Sequence, residues 1–263
     1  MTRVRIDTLL SQRGMFPSRS AAAASVIAGD VLVLPERRRV AKPGQLVPDD
    51  VELEVIQGPP FVSRGGVKLR NALDALSFEA AGRRALDVGA STGGFTDCLL
   101  QAGVDHVVAV DVAYGELAWQ LRSDPRVTVI ERCNARSLRP EDLPYPPDLI
   151  VIDVSFISLA KVLPAVLACA ADRFDCLAMI KPQFEVGRGQ VGKGGVVRSA
   201  DDRRRALIDV ASAARELGAS VRGYASSGLA GPKGNLETFV WLAEGARSGG
   251  LVDLEAAVRE VEP

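Results

Sequence analysis

Residues 83–95 read RRALDVGASTGGF, and this stretch decides the fold. It predicts an apolar strand, a glycine-rich turn from Gly89, and a helix from Gly94 to Gly103. Near-continuous apolar strands separated by helices are typical of a mostly parallel sheet covered on both faces. The sequence therefore predicts a doubly wound, mostly parallel seven-stranded α/β domain over residues 64–263. The further strands expected are HVVAVDV (106–112), VTVIER (127–132), DLIVIDV (148–154), CLAMIKP (176–182), VRGYASS (221–227) and TFVWL (238–242).

The glycine turn and the end of the next strand form a candidate cofactor site. A glycine turn alone could serve NAD, a phosphate or simple chain reversal. Asp111 ends the second strand 17 residues after Gly94, where an acid can accept hydrogen bonds from the ribose hydroxyls of an adenosine. NAD and S-adenosylmethionine both satisfy this geometry. S-adenosylmethionine is favoured for three reasons. The turn lacks the G-x-G-x-x-G pattern, Asp87 lies within the first strand, and the third strand is followed by a polar turn, ERCNARSL (131–138).

These features resemble the Rossmann-like methyltransferases. In that group an acid before the glycine turn approaches the methionine amine of S-adenosylmethionine, and the turn after the third strand contacts adenine. The resemblance assigns these roles to Asp87 and Asn134, while the helix N-terminus would face the carboxylate end of the cofactor. The residues expected to bind the cofactor are Asp87, Gly89, Ala90, Ser91, Gly93, Gly94, Phe95, Asp111 and Asn134.

Two later strands end in charged residues, Asp153 and Lys181. Ligands bind at the carboxyl ends of strands in such sheets, although a structural ion pair is the alternative. Lys68 in FVSRGGVKLRNAL (61–73) and Glu237 in GPKGNLETFVWL (231–242) would each be read alone as a surface residue. In order and local context the four resemble the K-D-K-E catalytic tetrad of the FtsJ-like ribose 2′-O-methyltransferases. The resemblance implies that Lys181 accepts the hydroxyl proton or stabilises the developing alkoxide, with Asp153 orienting it.

Residues 1–57 predict a separate small domain, followed by a linker over residues 58–63. Helices are expected over 6–13 and 18–28, because Ser18 can cap the second helix and Gly29 can end it. VLVLP (31–35) and VELEVI (51–56) predict strands, and ERRRVAKPG (36–44) predicts a turn and connector. The Gly-Pro-Pro sequence at 58–60 is the clearest break in the chain.

This front region is locally basic. Residues 1–42 carry eight basic and three acidic side chains, a net charge of +5, which suits either a solvated face or contact with phosphates. The run PSRSAAAASVIAGDVLVL (17–34) with VAKPGQLV (40–47) resembles the α+β RNA-binding domain named after ribosomal protein S-four. The resemblance places Arg5, Arg19 and Lys42 on an RNA-binding face, with Arg3 and Arg37–Arg39 nearby, and Arg3 is counted among the expected RNA-binding residues.

Longer motifs extend the resemblance to nearly the whole chain: SRGGVKL (63–69), LDVGASTGGFTDCLL (86–100), VDVAYGELAWQLRSDPRV (110–127), DVSFISL (153–159), KPQFEVGRGQVGKGGVV (181–197) and GNLETF (234–239). They resemble the TlyA family of 16S/23S rRNA cytidine 2′-O-methyltransferases, historically called haemolysins. This implies rRNA within ribosomal subunits as partner and an effect on capreomycin sensitivity. The basic residues Arg64, Arg188 and Lys193 would also contact RNA. The linker departs from the family's Arg-x-Trp-Val pattern at Pro59 and Phe61.

Composition excludes several other classes. The chain has 263 residues, 47% of them apolar and 25% charged, as expected of a folded protein. It lacks a secretory signal and any run of about 20 apolar residues, so we expect a cytoplasmic protein, with a monomer favoured. Its four cysteines lack C-x-x-C spacing and its single histidine is His106, so no metal is expected. The competing functions are a membrane-lytic haemolysin, a noncatalytic RNA-binding factor and a pseudouridine synthase.

Overall fold

The computed structural model describes residues 2–40, 42–56 and 60–262, with the Arg188 side chain excluded. It contains two compact units, 1–60 and 61–263. The first unit has five short strands and two helices among its described residues: β1 (Arg3–Arg5), α1 (Ile6–Gln12), α2 (Arg19–Ala28), β2 (Val31–Val33), β3 (Arg38–Arg39), β4 (Leu46–Pro48) and β5 (Leu53–Val55).

Local sequence explains the helices of the first unit. The Ser18 hydroxyl accepts the Ala21 N–H at 3.1 Å and caps α2, and Gly29 ends this helix with a φ of 82°. Strand β2 lies between β3 and β5, and β1 pairs with β4, all antiparallel. Strands β1, β3 and β4 (RVR, RR and LVP) were not predicted, because they lie outside the two longer apolar or alternating runs, VLVLP and VELEVI, that indicated β2 and β5. The similarity of this unit to an S-four domain stays a prediction.

The second unit alternates strands and helices. Its elements are α3 (Arg64–Ala75), β6 (Arg84–Val88), α4 (Gly94–Gln101), β7 (His106–Val110), α5 (Trp119–Arg122), β8 (Val127–Ile130), β9 (Leu149–Ile152), α6 (Leu163–Leu167), β10 (Asp175–Ile180), α7 (Pro182–Glu185), α8 (Ala200–Glu216), β11 (Ala219–Ser226), β12 (Thr238–Glu244) and α9 (Leu254–Val261). Short 3-10 helices occur at Ala135–Ser137, Pro140–Asp142, Leu159–Lys161 and Arg188–Gln190.

These strands form one seven-stranded sheet in the order β11-β12-β10-β9-β6-β7-β8. The pairs β6–β7, β7–β8, β6–β9 and β9–β10 are parallel, while β12 runs antiparallel to both of its neighbours. The predicted mostly parallel, doubly wound sheet is confirmed. Strands β6, β7, β9 and β10 therefore end at the same edge of the sheet, which is where the candidate site lies.

The sheet is covered on both faces. Successive residues of a strand point to opposite faces, so Ala85 and Val151 pack in one core with Leu69 of α3 and Leu99 of α4. Leu86, Ile150 and Ile152 pack in the other, with α6, α8 and α9 supplying buried side chains such as Leu163, Leu207 and Val258. Each fully buried Leu or Ile contributes about 1.5–3 kcal/mol, so both layers hold the strand ends in fixed positions.

Candidate active site

Two adjoining cavities open at the carboxyl edge of the sheet. One, of about 710 Å³, has the four tetrad residues in its wall and is called here the tetrad cavity. The other, of about 820 Å³, has Asp111 and Asn134 in its wall and is called the Asp111 cavity. Their walls share seven residues: Gly89, Ser91, Asp153, Ser155, Phe156, Gln183 and Phe184. The two cavities are therefore neighbouring parts of one cleft.

Lys181 and Asp153 meet where the two cavities join. Lys181 follows β10 and precedes α7, and Asp153 follows β9. The Lys181 ammonium forms an ion pair with Asp153 and donates a hydrogen bond to the Ser155 hydroxyl at 2.9 Å. Both strands are parallel neighbours, so the order of strands in the sheet brings these two side chains together.

Lys68 and Glu237 form a second ion pair in the wall of the tetrad cavity. Lys68 lies on α3, and Glu237 immediately precedes β12. Both side chains are buried, and a buried charge is tolerated when it is paired. All four residues predicted as a tetrad thus reach one cavity, although they come from four separate parts of the chain.

The glycine turn fits closely against the neighbouring elements. A Cβ on Gly89, whose φ is +87°, would lie 2.3 Å from the Asp153 carbonyl oxygen, and one on Gly94 would lie 2.1 Å from the Ser63 hydroxyl. Gly93 supports packing instead, because a Cβ there would meet Leu121 at 2.2 Å. Glycine is required at these positions for steric reasons.

Asp111 is held in place by backbone amides. One carboxylate oxygen accepts the Ser91 N–H and the other accepts the Ala113 N–H, each at 2.7 Å. This fixes the carboxylate in the wall of the Asp111 cavity, where an oxygen has a further lone pair for a ribose hydroxyl. Asn134 lies in the same wall, and its side-chain oxygen accepts the Arg136 N–H at 3.1 Å.

Asp87 lies apart from both cavity walls. It is fully buried in β6, and one of its oxygens accepts the Thr96 hydroxyl at 2.6 Å. The other oxygen has no hydrogen-bond partner among the described residues. Burial raises the pKa of Asp87 to about 7, partly offset by the Thr96 hydrogen bond. Gly89, Ala90, Ser91, Gly94 and Phe95 of the predicted cofactor set do line the tetrad cavity.

Sequence reasoning missed four of the seven residues that border both cavities. Ser155, Phe156, Gln183 and Phe184 border both cavities. The Phe156 side chain is 91% exposed, its φ is +65°, and its ring lies 5.2 Å from that of Phe184 between centroids. A bulky residue in the left-handed region is strained, and such strain clusters at functional sites. The available signal was their position directly after the ends of parallel strands.

The predicted RNA-binding residues fall into two groups. Arg64 and Lys193 are exposed in the second unit, and Arg64 lines the tetrad cavity while donating to the Ala230 carbonyl at 2.9 Å. Arg188 falls outside the described side chains. In the first unit, Arg5 and Arg19 both pair with the buried Asp7, at 2.8 and 3.2 Å. These guanidinium groups hold the pKa of Asp7 well below its usual range.

Arg3 and Lys42 are also exposed in the first unit. Within the described part of the chain, no group of three or more His, Cys, Asp or Glu side chains could hold a metal ion. No described helix is long and apolar enough to cross a membrane.

The cleft fits an S-adenosyl cofactor in chemistry as well as in shape. Asp111 supplies an acceptor for ribose hydroxyls at one end. The crowded turn at Gly89, where a Cβ would strike Asp153, lies in the wall common to both cavities. A ligand that spans the two cavities would therefore pass over the glycine turn and reach Asp153 and Lys181.

Comparison with known proteins gives consistent matches over the whole chain. The FtsJ-like methyltransferase family matches residues 61–244. A Mycobacterium tuberculosis H37Rv protein, named 16S/23S rRNA (cytidine-2'-O)-methyltransferase TlyA, is 51% identical over 242 residues, covering 91% of this chain and 90% of that protein. The Bacillus subtilis 168 protein named putative rRNA methyltransferase YqxC is 40% identical over 263 residues, covering 98% of this chain and 92% of that protein.

A solved structure covers both units. It is described as a putative hemolysin from Streptococcus thermophilus, is 37% identical, and superposes with a TM-score of 0.73. The match covers 99% of this chain and 96% of that one.

Proposed function

Because this chain belongs to the TlyA family of FtsJ-like methyltransferases, whose methyl donor is S-adenosylmethionine, we propose that it methylates the 2′-hydroxyl of a cytidine ribose in 16S rRNA, 23S rRNA or both. The observation that carries the proposal is the position of Lys181. Its amine is held by Asp153 and Ser155 at the junction of the two cavities. The choice of nucleotide rests on the name of the M. tuberculosis relative.

Asp111 and the glycine turn would hold the cofactor in the Asp111 cavity, with Asn134 beside the adenine. The cofactor supplies an electrophilic methyl group on a sulfonium. Every other step belongs to the chain's own residues. Asp111, fixed by two backbone N–H groups, orients the cofactor, and Gly89 lets the turn pack directly against the Asp153 backbone carbonyl.

The Lys181 amine is the group best placed to meet the ribose hydroxyl. A protonated amine has three N–H donors; the Ser155 hydroxyl accepts one of them, and Asp153 lies beside the ammonium as its ion-pair partner. One position on the nitrogen is left for the substrate oxygen. There Lys181 either accepts the hydroxyl proton or, as an ammonium, stabilises the developing alkoxide. Both routes depend on Asp153 and Ser155 holding the nitrogen in place.

Lys68 and Glu237 lie in the wall of the same cavity and would fix the hydroxyl in line with the methyl group. Orientation of this kind is a large part of methyl transfer, because the nucleophile, carbon and leaving sulfur must be aligned. Since the Lys68–Glu237 pair is buried, it offers a rigid wall rather than a mobile side chain.

The test is transfer of labelled methyl groups from S-adenosylmethionine to isolated small and large ribosomal subunits. The proposal predicts label on the 2′-oxygen of a cytidine in at least one subunit, located by digestion and mass spectrometry. Label on a base, or no label on either subunit, would contradict it.

We also propose that the first unit binds rRNA through its exposed basic residues. The support is its local charge and the exposure of Arg3 and Lys42. Arg5 and Arg19 make a poorer test, because removing them leaves the buried Asp7 unpaired.

The double variant Arg3→Ala/Lys42→Ala should weaken subunit binding and reduce the slope of log K against log salt by about 1.5 to 2. Filter binding over a salt series measures this slope. The control is Arg259→Ala, which removes an exposed arginine from α9 and should leave the slope unchanged. Equal slopes for all three proteins would exclude this role for the first unit.

A further inference from the structure

Segment 153–159 carries three residues that border both cavities, but its backbone N–H groups make few hydrogen bonds. It begins at Asp153, whose N–H donates to the Val88 carbonyl at 2.9 Å. Among the described residues, no N–H of residues 154–158 donates to a backbone carbonyl. Asp153, Ser155 and Phe156 all line the cleft, so side chains from elsewhere must hold this segment in position.

Three such contacts come from one short stretch, residues 181–185, while Val154, Ile157 and Leu159 of the segment pack in the hydrophobic core. Lys181 contacts Asp153 and Ser155, and Phe184 packs against Phe156. The third contact is made by Glu185, the last residue of α7. Residues 181–185 therefore contact segment 153–159 at its beginning, in its middle and at its end.

Glu185 provides the far anchor with both carboxylate oxygens. One accepts the Ser158 hydroxyl at 2.6 Å and the other accepts the Leu159 N–H at 2.9 Å. Ser158 in turn caps the 3-10 helix at Leu159–Lys161 by accepting the Ala160 N–H at 3.2 Å. Burial raises the pKa of Glu185, and these two hydrogen bonds oppose that rise. The hydrogen bonds to this segment therefore hold the Glu185 carboxylate in a partly buried position.

We infer that Glu185 is a positioning residue for methyl transfer, which acts by fixing segment 153–159 so that Asp153 and Ser155 hold the Lys181 amine. The inference rests on the proposed function. Glu185 itself lies outside the walls of both cavities, so its effect passes through the segment. A misplacement of about 1 Å in a reacting group can cost on the order of 100-fold in rate.

The test compares Glu185→Gln and Glu185→Ala with wild type in methyl transfer to ribosomal subunits. Rates are expressed per site that binds S-adenosylmethionine, titrated by calorimetry, which removes any loss caused by misfolded protein. Glu185→Gln keeps one acceptor and Glu185→Ala keeps none. We expect kcat to fall about 10-fold and about 100-fold respectively, with KM for the subunit within about 3-fold of wild type.

Glu244→Gln is the matched control. Glu244 is also a partly buried carboxylate that accepts a backbone N–H, that of Phe174 at 3.1 Å, together with a charged side chain, Arg247. It ends β12 at the opposite edge of the sheet. The Glu244→Gln variant should have a lower melting temperature than wild type and the same kcat per cofactor-binding site.

Ser158→Ala completes a double-mutant cycle with Glu185→Gln. If Glu185 acts through this segment, the two changes will be non-additive in kcat. Hydrogen exchange supplies a readout without substrate: the Leu159 amide should exchange faster in Glu185→Ala, and amides of β9 should not. If wild type is active and the Glu185 variants keep its kcat, or if the Leu159 amide of Glu185→Ala exchanges no faster than in wild type, the inference is overturned.

Failure of the proposed function has a different signature. Wild-type protein would then transfer no methyl group to either subunit, which would remove the kinetic role of Glu185 as well. The anchoring of the segment would still be decided by the exchange of Leu159.

Discussion

The two lysine–carboxylate pairs of the cleft use the same residue types in different surroundings. In the Lys68–Glu237 pair the side chains are 9% and 2% exposed, whereas in the Lys181–Asp153 pair they are 11% and 23% exposed. The first pair borders only the tetrad cavity. In the second pair, Asp153 borders both cavities, whereas Lys181 borders the tetrad cavity and donates to Ser155. The two lysines are about equally buried, so the pairs differ mainly in the exposure and position of their carboxylates. Under the proposed function, Lys68–Glu237 is the wall pair and the Lys181 amine is the reactive group.

Removing the reactive amine should give the largest effect. Lys181→Ala is expected to lower methyl transfer by roughly 10²- to 10⁴-fold, the range for a group that transfers a proton or stabilises a developing negative charge. The dissociation constant of S-adenosylmethionine should stay within about 3-fold, because Asp111 and the glycine turn are untouched. Single-turnover assays and calorimetry measure the two quantities. Substantial turnover in this variant would place the reactive group elsewhere.

Disrupting the Lys68–Glu237 pair should mainly lower the stability of the folded protein. Lys68→Ala leaves Glu237 buried without its partner, so the free energy of unfolding should fall by about 3–5 kcal/mol. Asp153→Asn, in the more open pair, should cost clearly less. Urea denaturation of both variants makes the comparison. Equal losses would show that the two pairs do not differ in the way their exposure indicates.

The double variant Lys68→Met/Glu237→Leu sharpens this second test. It replaces both charges with apolar side chains of similar size, which is often neutral for a buried pair. If this variant is as stable as wild type but inactive, the Lys68–Glu237 pair is needed for methyl transfer and not for folding.

The third comparison concerns Asp87, a buried carboxyl whose effect on the stability of the folded protein should depend on pH. Because the pKa of Asp87 is raised to about 7 in the folded protein, its ionised form is disfavoured there relative to the unfolded chain. Its contribution to stability is therefore greatest at pH values below about 4 and declines as the pH rises to about 7, by about 2–4 kcal/mol. Asp87→Asn lacks this titration.

The stability of Asp87→Asn relative to wild type should consequently improve by that amount between pH 4 and 7. Urea unfolding across this range checks the prediction, and any constant cost of the amide cancels in the slope. A difference between the two proteins that does not vary with pH would show that Asp87 is ionised throughout.

Much of the fold and part of the site could be predicted from local patterns. The seven strands of the sheet were visible as apolar runs, and the placement of Asp153 and Lys181 followed from where two of those runs end. The strands β1, β3 and β4 were missed because, unlike the equally short β2 and β5, they do not lie within a longer apolar or alternating run. Phe156 and Phe184 were missed because an aromatic residue after a strand reads equally well as core.

The sequence alone was enough to predict the order of strands and helices, the glycine turn, and Asp153 and Lys181 at strand ends, because each depends on neighbours within a few positions. Lys68 and Glu237 were recognised only through the family resemblance. The tertiary structure was needed to show that both lysines are paired with carboxylates in the tetrad cavity and that, of the four residues, Asp153 alone also borders the Asp111 cavity. It also placed Asp87 behind the cleft and set Glu185 against Ser158. Burial and electrostatic environment depend on contacts between residues far apart in the chain, and no local pattern records them.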